Sequence, residues 1–313
     1  MSGTVLGAAI IGRKLMWLPV CVLATLHTWI GGAIAQSAGA SVPQPHATMI
    51  RPIAERLPGV WSFLQALDAD ITTGRLASTD ALIAKARAFY TPERMAEIEA
   101  VIPGWRHMAS YDDGKTLWHV TVAMVALMGL DEYKAMTGPE HVVQEWIVLL
   151  HDLAKEPAKG RDHRHGFRSG ALAGRVLPAL GFPTTAVYAA EFPAWFSLTD
   201  GAFKLDRAKG YPIHDNAKLP EIMAGAARLF TGPTLTVVKA ITLHQSITSL
   251  AAWPVAAPIA QAEAARYVDR PLYPALLALT LADSGGWNLF ERARLAAMYG
   301  ETRKVFARLR PSD

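Results

Sequence analysis

Residues 146–155 read WIVLLHDLAK, in which an adjacent histidine and aspartate follow five apolar residues. Such an apolar run predicts a buried helix, so His151 and Asp152 are expected at the edge of a core. Burying an ionised aspartate is costly unless its charge is compensated. A divalent cation compensates it well, and imidazole and carboxylate are ligands for Mn, Fe, Zn, Ni, Co or Mg. The adjacent His151 and Asp152 are by themselves also typical of a helix-capping or solvent-exposed pair.

Helical spacing of apolar residues continues on both sides of this segment. It predicts helices at residues 81–90, 91–102, 116–130, 141–155, 167–180, 233–248, 271–283 and 287–309. Alternating strand patterns are scarce. We therefore predict an all-α fold, with one helical domain over residues 51–313 that has extra N-terminal helices and a polar, loop-rich insertion at 197–232.

Composition narrows the class of protein. The chain has 313 residues, of which 51% are hydrophobic and 19% charged, with one cysteine and a formal net charge of +4. The apolar content excludes a disordered chain, and a lone cysteine excludes an internal disulfide. A charge of +4 over this length argues against a dedicated nucleic-acid binder. Arg13 and Lys14 supply half of that charge, since residues 1–35 contain no acidic residue.

The N-terminal segment has the marks of a secretory signal peptide. Two basic residues precede an uncharged run at 15–34, which ends in the small-x-small sequence Ala33-Ile34-Ala35. A membrane anchor formed by residues 15–34 is the alternative, because a run of that length just crosses a bilayer. Residues 36–50 are small and polar with two prolines and predict a linker. We expect an exported protein, periplasmic or secreted, that contacts a membrane only if residues 1–35 are retained.

Two further polar residues stand in otherwise apolar helices. His119 begins the run HVTVAMVALM, and Asp283 ends the run LLALTLAD. A metal ion shared between three helices would account for these two residues together with His151 and Asp152.

The order of these residues resembles that of the HD-domain superfamily of metal-dependent phosphohydrolases. In that family a His, a His-Asp pair and a distal Asp lie on helices of a bundle. The corresponding residues here are His119, His151, Asp152 and Asp283. The resemblance covers about residues 119–283 and implies an HD-type helical bundle with these four residues as metal ligands.

The letters around the motif also match the family. Lys155 follows the His-Asp pair at the expected position, and His165 precedes the small-residue stretch GFRSGALA. Family members with two metals place further histidines between the pair and the distal Asp, and His165 and His244 are the candidates. His163 is the alternative to its neighbour His165. His244 is either displaced by the insertion at 197–232 or an ordinary core histidine.

The resemblance implies a phosphohydrolase with one or two divalent ions (Mn, Mg, Fe, Ni, Co or Zn). The metal would lower the pKa of a bound water, and the resulting hydroxide would attack the phosphorus of a small phosphorylated substrate such as a nucleotide. Asp152 is the expected catalytic and bridging carboxylate. Lys155 is the expected cation for the phosphate, with a solvated helix-end lysine as the alternative.

Two other function classes stay open. Relatives with the ligand order His, His-Asp, His, His, Asp activate oxygen at two irons, so a di-iron oxygenase is the runner-up. A metal-binding module without catalysis is the third class.

Two further patterns are expected to lie outside the site. Arg161, Arg164 and Arg168 predict a solvated basic face, with phosphate contacts as the alternative. His214-Asp215 repeats the His-Asp letters, but it stands in a polar region without a buried helix before it and predicts a loop.

Overall fold

The structure is a computed structural model that describes residues 50–110, 114–156, 162–208, 210–248 and 258–311. The signal peptide or anchor predicted at 1–35 lies outside these residues, as do Arg161 and all of the predicted linker except Ile50. In the described part of the chain, no helix is both long enough and apolar enough to cross a membrane.

The described residues are 73% helical, which confirms the predicted all-α class. The α-helices are α1 Ile53–Arg56, α2 Pro58–Thr72, α3 Thr79–Phe89, α4 Pro92–Val101, α5 Trp105–Ser110, α6 Lys115–Gly129, α7 Asp131–Lys134, α8 Gly138–Leu150, α9 His165–Val176, α10 Tyr188–Asp200, α11 Leu219–Leu229, α12 Gly232–Thr248, α13 Gln261–Tyr267, α14 Leu272–Asn288 and α15 Arg292–Ala307. Short 3₁₀ helices occupy Leu177–Leu180 and Asn216–Lys218. The strands β1 Phe203–Asp206 and β2 Tyr211–His214 pair antiparallel.

Capping residues explain where two of these helices begin. The Thr91 side chain accepts a hydrogen bond from Arg94 N at 3.3 Å, and Pro92 occupies the first turn of α4. Thr137 and Glu140 form a capping box at the start of α8. Both starts are therefore set by local sequence.

Helices α6, α8, α9, α12 and α14 form the bundle that carries the candidate site. Helix α14 packs against α6, α8 and α12, and α12 also packs along α9. Every residue from 119 to 127 in α6 is buried, and so is the run 146–150 in α8. A helix that is apolar on all faces is one that other helices surround, so these segments lie inside the core.

Two predicted helix boundaries are wrong. The helix predicted at 141–155 ends at Leu150, and His151 and Asp152 lie in the following turn. The break predicted after Asp283 does not occur, since α14 continues to Asn288 and α15 begins only at Arg292.

Close helix packing explains why the glycine pair after Asp283 does not end α14. A Cβ on Gly285 would lie 2.5 Å from Ala126 Cβ, and a Cβ on Gly286 would lie 2.6 Å from His119 Cε1. These two positions face α6 so closely that only glycine fits. The glycines therefore serve the α6–α14 contact rather than a turn.

The insertion predicted as loop-rich at 197–232 consists largely of regular secondary structure. It contains the end of α10, the β1–β2 hairpin and α11. The buried residues of α11 recur at helical spacing, namely Leu219, Ile222, Met223, Ala226 and Leu229. The sequence contains this pattern, but the polar residues on either side of it led to the prediction of a loop.

Candidate metal centre

Six predicted ligands converge at one place in the bundle. They form two groups, one of His119, His151 and Asp283 and the other of Asp152, His165 and His244. Within each group the ligand atoms lie within 4.8 Å of one another. All except the partly buried Asp283 are buried, and they come from α6, α9, α12, α14 and the turn after α8.

The Asp152 carboxylate lies between the two groups. Its Oδ1 is 3.0 Å from Nε2 of His165 and 3.9 Å from Nε2 of His244. Its Oδ2 is 3.5 Å from Nε2 of His119 and 3.7 Å from Nε2 of His151. One carboxylate oxygen therefore faces each group, so Asp152 is the residue that links the two groups.

Backbone hydrogen bonds orient three of the imidazole rings. Nδ1 of His151, His165 and His244 each donates to the carbonyl oxygen three residues earlier, at 2.7, 2.6 and 2.6 Å. This leaves the lone pair of each Nε2 aimed into the cluster, as in histidines that bind metals. The Nε2 atoms of His165 and His244 lie only 3.2 Å apart.

The other imidazole nitrogens of the cluster are poorly satisfied. Three nitrogens lack a hydrogen-bond partner among the described residues, namely Nδ1 and Nε2 of His119 and Nε2 of His151. Nε2 of His119 lies 3.0 Å from Oδ1 of Asp283, but without the alignment of a hydrogen bond. A buried polar group without a partner costs about 1–3 kcal/mol. A cation between the lone pairs would remove this cost.

The charge states suit metal binding. Burial alone would raise the pKa of Asp152, but Lys155 and the neighbouring imidazoles hold that pKa well below its usual range. Burial likewise opposes ionisation of Asp283, yet the neighbouring imidazoles of His119 and His151 hold its pKa well below the usual range. Burial and the charge of a neighbouring imidazole lower the pKa of His244 to about 3. At neutral pH both carboxylates are therefore charged and His244 is neutral, as metal ligands must be.

The pKa values of His119 and His151, the two histidines of the first group, are shifted in opposite directions. Burial lowers the pKa of His119. Burial also opposes protonation of His151, but the negative charge of Asp152 outweighs it and raises the pKa of His151.

One side of the centre is bordered by a lysine and a tryptophan. Lys155 Nζ lies 2.7 Å from Asp152 Oδ2 and 5.1 Å from the ring centroid of Trp287. The Trp287 ring stacks on His119 with centroids 4.1 Å apart and an interplanar angle of 18°. Trp287 is 40% exposed, so it stands between the buried ligands and solvent. Sequence reasoning placed Lys155 at the site and missed Trp287.

Two of the histidines considered in the sequence analysis, His163 and His214, lie outside the cluster. His163 stacks on Tyr211 with centroids 4.8 Å apart, so it does not replace its neighbour His165 in the cluster. His214 is buried at the end of β2, where it stacks on Phe167 and accepts a hydrogen bond from Phe167 N at 3.3 Å. The predicted loop at His214 is wrong because the hairpin folds onto α9.

The predicted basic face is wrong for Arg168. Its guanidinium bonds Glu156 at 3.1 Å and Asp200 at 3.2 Å. Arg164 lies 3.4 Å from Asp162. Hydrogen bonding from Arg168 is the main reason that the pKa of Glu156 falls to about 2. These ion pairs tie the turn that carries Asp152 to α9 and α10.

Comparisons with family models, with curated proteins and with solved structures found no match to this chain. The cluster is therefore the basis for a functional assignment. Its donor set is four imidazoles and two carboxylates with no thiolate. Such donors suit divalent ions of borderline to hard character. The buried His and Asp groups fit a metal ion in composition, orientation and charge.

Proposed function

We propose that the chain is a metal-dependent phosphohydrolase of the HD type, acting on a small phosphate ester such as a nucleotide. The observation that carries the proposal is the position of Asp152, which offers one oxygen to each of two ligand groups. Two divalent cations bound there would lower the pKa of coordinated water and set positive charge against phosphoryl oxygens.

Each ligand has a defined part in this proposal. His119, His151 and Asp283 would hold one cation, and His165 and His244 the other. Asp152 would bind both cations and fix their separation. The hydrogen bonds from each Nδ1 to the backbone hold the rings of His151, His165 and His244 in place before a metal arrives.

Charge balance favours an anionic substrate. The two carboxylates carry two negative charges, and two divalent cations would exceed them. Lys155 adds a further positive charge 2.7 Å from Asp152, and its side chain is 15% exposed. The ammonium group can therefore keep Asp152 oriented and also meet a phosphate oxygen at the solvent side of the centre.

A di-iron oxygenase is the second candidate, because the six-residue donor set is complete for two irons. The hydrolase is preferred because Lys155 adds a cation beside the bridging carboxylate.

The test combines metal analysis with activity on the full-length chain. We expect two divalent ions per chain, and phosphate release from p-nitrophenyl phosphate or nucleotides in the presence of Mn, Mg, Ni or Co. Asp152→Ala should abolish this activity, whereas the exposed Asp131→Asn should retain it. Two irons per chain with oxygen uptake on an organic substrate would establish the oxygenase instead. Phosphate release that survives in Asp152→Ala would show that the centre is not the active site.

A further inference from the structure

A cavity lies away from the metal centre, against three helices of the same bundle. Its volume is about 600 Å³, and it is lined by residues of α8, α12 and α14 near the N-terminal ends of these helices. The ligands His151, His244 and Asp283 stand toward the other ends. Gln144, which lines the cavity, precedes His151 by seven residues, or about 10 Å along the helix. The cavity is therefore separate from the proposed active site.

Gln144 is the unusual residue of this cavity. It is only 1% exposed, and neither its Oε1 nor its Nε2 has a hydrogen-bond partner among the described residues. Buried amides in native proteins are almost always paired, so an unpaired one needs an explanation. Gln144 lines the cavity, but both amide atoms are buried in this conformation, so a molecule in the cavity meets them only if the side chain turns. A ligand that brings a matching donor and acceptor would satisfy them.

The charges of the lining balance, since Lys239 and Arg270 offset Glu140 and Asp269. Lys239 Nζ bonds Asp269 Oδ2 at 2.6 Å. Glu140 accepts hydrogen bonds from Thr137 N and Oγ1, each at 2.7 Å. Arg270 also has an interaction partner. Since the lining carries no net charge, it favours a neutral molecule.

The rest of the lining is mainly apolar. The apolar residues are Met136, Pro139, Val143, Leu235, Pro271, Pro274 and Ala275. A volume of this size is typical of pockets for small organic molecules. An apolar wall with one polar group is how such pockets combine affinity with orientation.

We propose that this cavity binds a neutral small molecule with an apolar body and a primary or cyclic amide. The amide of Gln144 offers a carbonyl acceptor and an N–H donor side by side. Another amide has the complementary pair, so two parallel hydrogen bonds form between them. The proposal does not depend on the phosphohydrolase activity.

Binding to the full-length chain tests this site, with benzamide, δ-valerolactam and uracil as probes. Acetophenone is the matched comparison, because it resembles benzamide in shape and lacks the N–H donor. We expect benzamide to bind at least about tenfold more tightly than acetophenone in calorimetry or ligand-observed NMR. Gln144→Met should remove that preference, and Leu235→Trp should block binding by filling the cavity. Gln261→Met, the same change at a residue that does not line the cavity, should bind like the unchanged chain.

Thermal unfolding provides a second measurement that does not need a ligand. Gln144→Met replaces an unpaired amide by an apolar side chain of similar length, so the melting temperature should rise. A lower melting temperature would mean that the amide has a partner inside the protein, and it would overturn the proposal. The proposal also fails if none of the three amides binds, or if benzamide binds Gln144→Met as tightly as it binds the unchanged chain.

Discussion

His165 and His244 face each other across 3.2 Å, nitrogen to nitrogen, although 79 residues separate them in sequence. Each donates from Nδ1 to a backbone carbonyl, so in the neutral form of either ring Nε2 carries a lone pair and no proton. Two lone pairs at this distance repel each other unless a cation lies between them or beside them. The pair therefore favours His244 as a ligand of the proposed centre over its reading as a core histidine.

Replacing His244 with phenylalanine should reduce the metal content from two ions to one per chain. The apo protein should keep or gain stability, because one of the two opposed lone pairs is removed. Elemental analysis measures the stoichiometry, and thermal melts with and without Mn measure the stability. His214→Phe is the matched control, since His214 is equally buried but lies outside the centre.

The control should keep two ions per chain. It should also lose about 1–3 kcal/mol of stability, because Phe167 N loses its acceptor. Unchanged metal content in His244→Phe would exclude His244 as a ligand.

Asp152→Asn should reduce metal affinity more than the replacement of any single histidine of the centre. The substitution removes the charge that faces both ligand groups, and it leaves Lys155 without its anionic partner. We expect both ions to bind at least about 100-fold more weakly, with phosphatase activity falling in parallel. Titration with Mn followed by calorimetry measures the affinity. If only one of two ions is weakened, Asp152 does not bridge.

Trp287→Ala should weaken metal binding without removing a ligand. His119 has no hydrogen-bond partner on Nδ1, so stacking on Trp287 is one of the contacts that orient its ring. A lost orienting contact of this kind costs about tenfold in metal affinity. Trp287→Phe keeps an aromatic face and should recover most of the affinity. Equal affinities in the alanine and phenylalanine variants would show that stacking does not orient His119.

Glu156→Gln should lower stability in a pH-dependent way. Hydrogen bonding from Arg168 lowers the pKa of Glu156 to about 2, from an ordinary value of 4.5. A lowered pKa in the folded state stabilises the fold above the unfolded pKa, and this stabilisation is lost as the pH falls. At pH 7 the variant should be about 1 kcal/mol less stable, a modest cost because the pair is partly solvated.

Urea unfolding between pH 7 and pH 2 measures this difference. The difference should shrink from about pH 4.5 downward and vanish near pH 2. A difference that stays constant over that range would mean that the carboxylate charge is not its source.

The sequence predicted those parts of the site that depend on local pattern. The apolar run before His151 and Asp152 places the pair at the end of a buried helix, and the resemblance selects the other ligands. The sequence did not decide the role of His244, because the insertion at 197–232 separates α12 from α9 and no local pattern shows that the two helices pack together. That packing needs contact between distant positions, such as Gly170 against Thr242.

The features that sequence reasoning missed also depend on distant contacts. In the sequence Trp287 is an ordinary candidate for the core, and only the fold shows that it stacks on His119. Arg168 looks solvated until α10 brings Asp200 to it. Neither partner is near in sequence, so no local spacing reveals the contact.

The glycines of α14 and α15 allow a matched test of helix packing at the centre. Alanine normally stabilises a helix interior by about 1 kcal/mol relative to glycine. A Cβ on Gly300 in α15 meets nothing within 4 Å, so Gly300→Ala should bring most of that gain. A Cβ on Gly286 would lie 2.6 Å from His119 Cε1 and 3.1 Å from Ala123 Cβ, so Gly286→Ala should destabilise the fold by about 1–3 kcal/mol. It should also weaken metal binding, because the His119 ring has to move. Denaturant unfolding and Mn titration of both variants measure these effects, and a stabilising Gly286→Ala would contradict the close contact between α14 and His119.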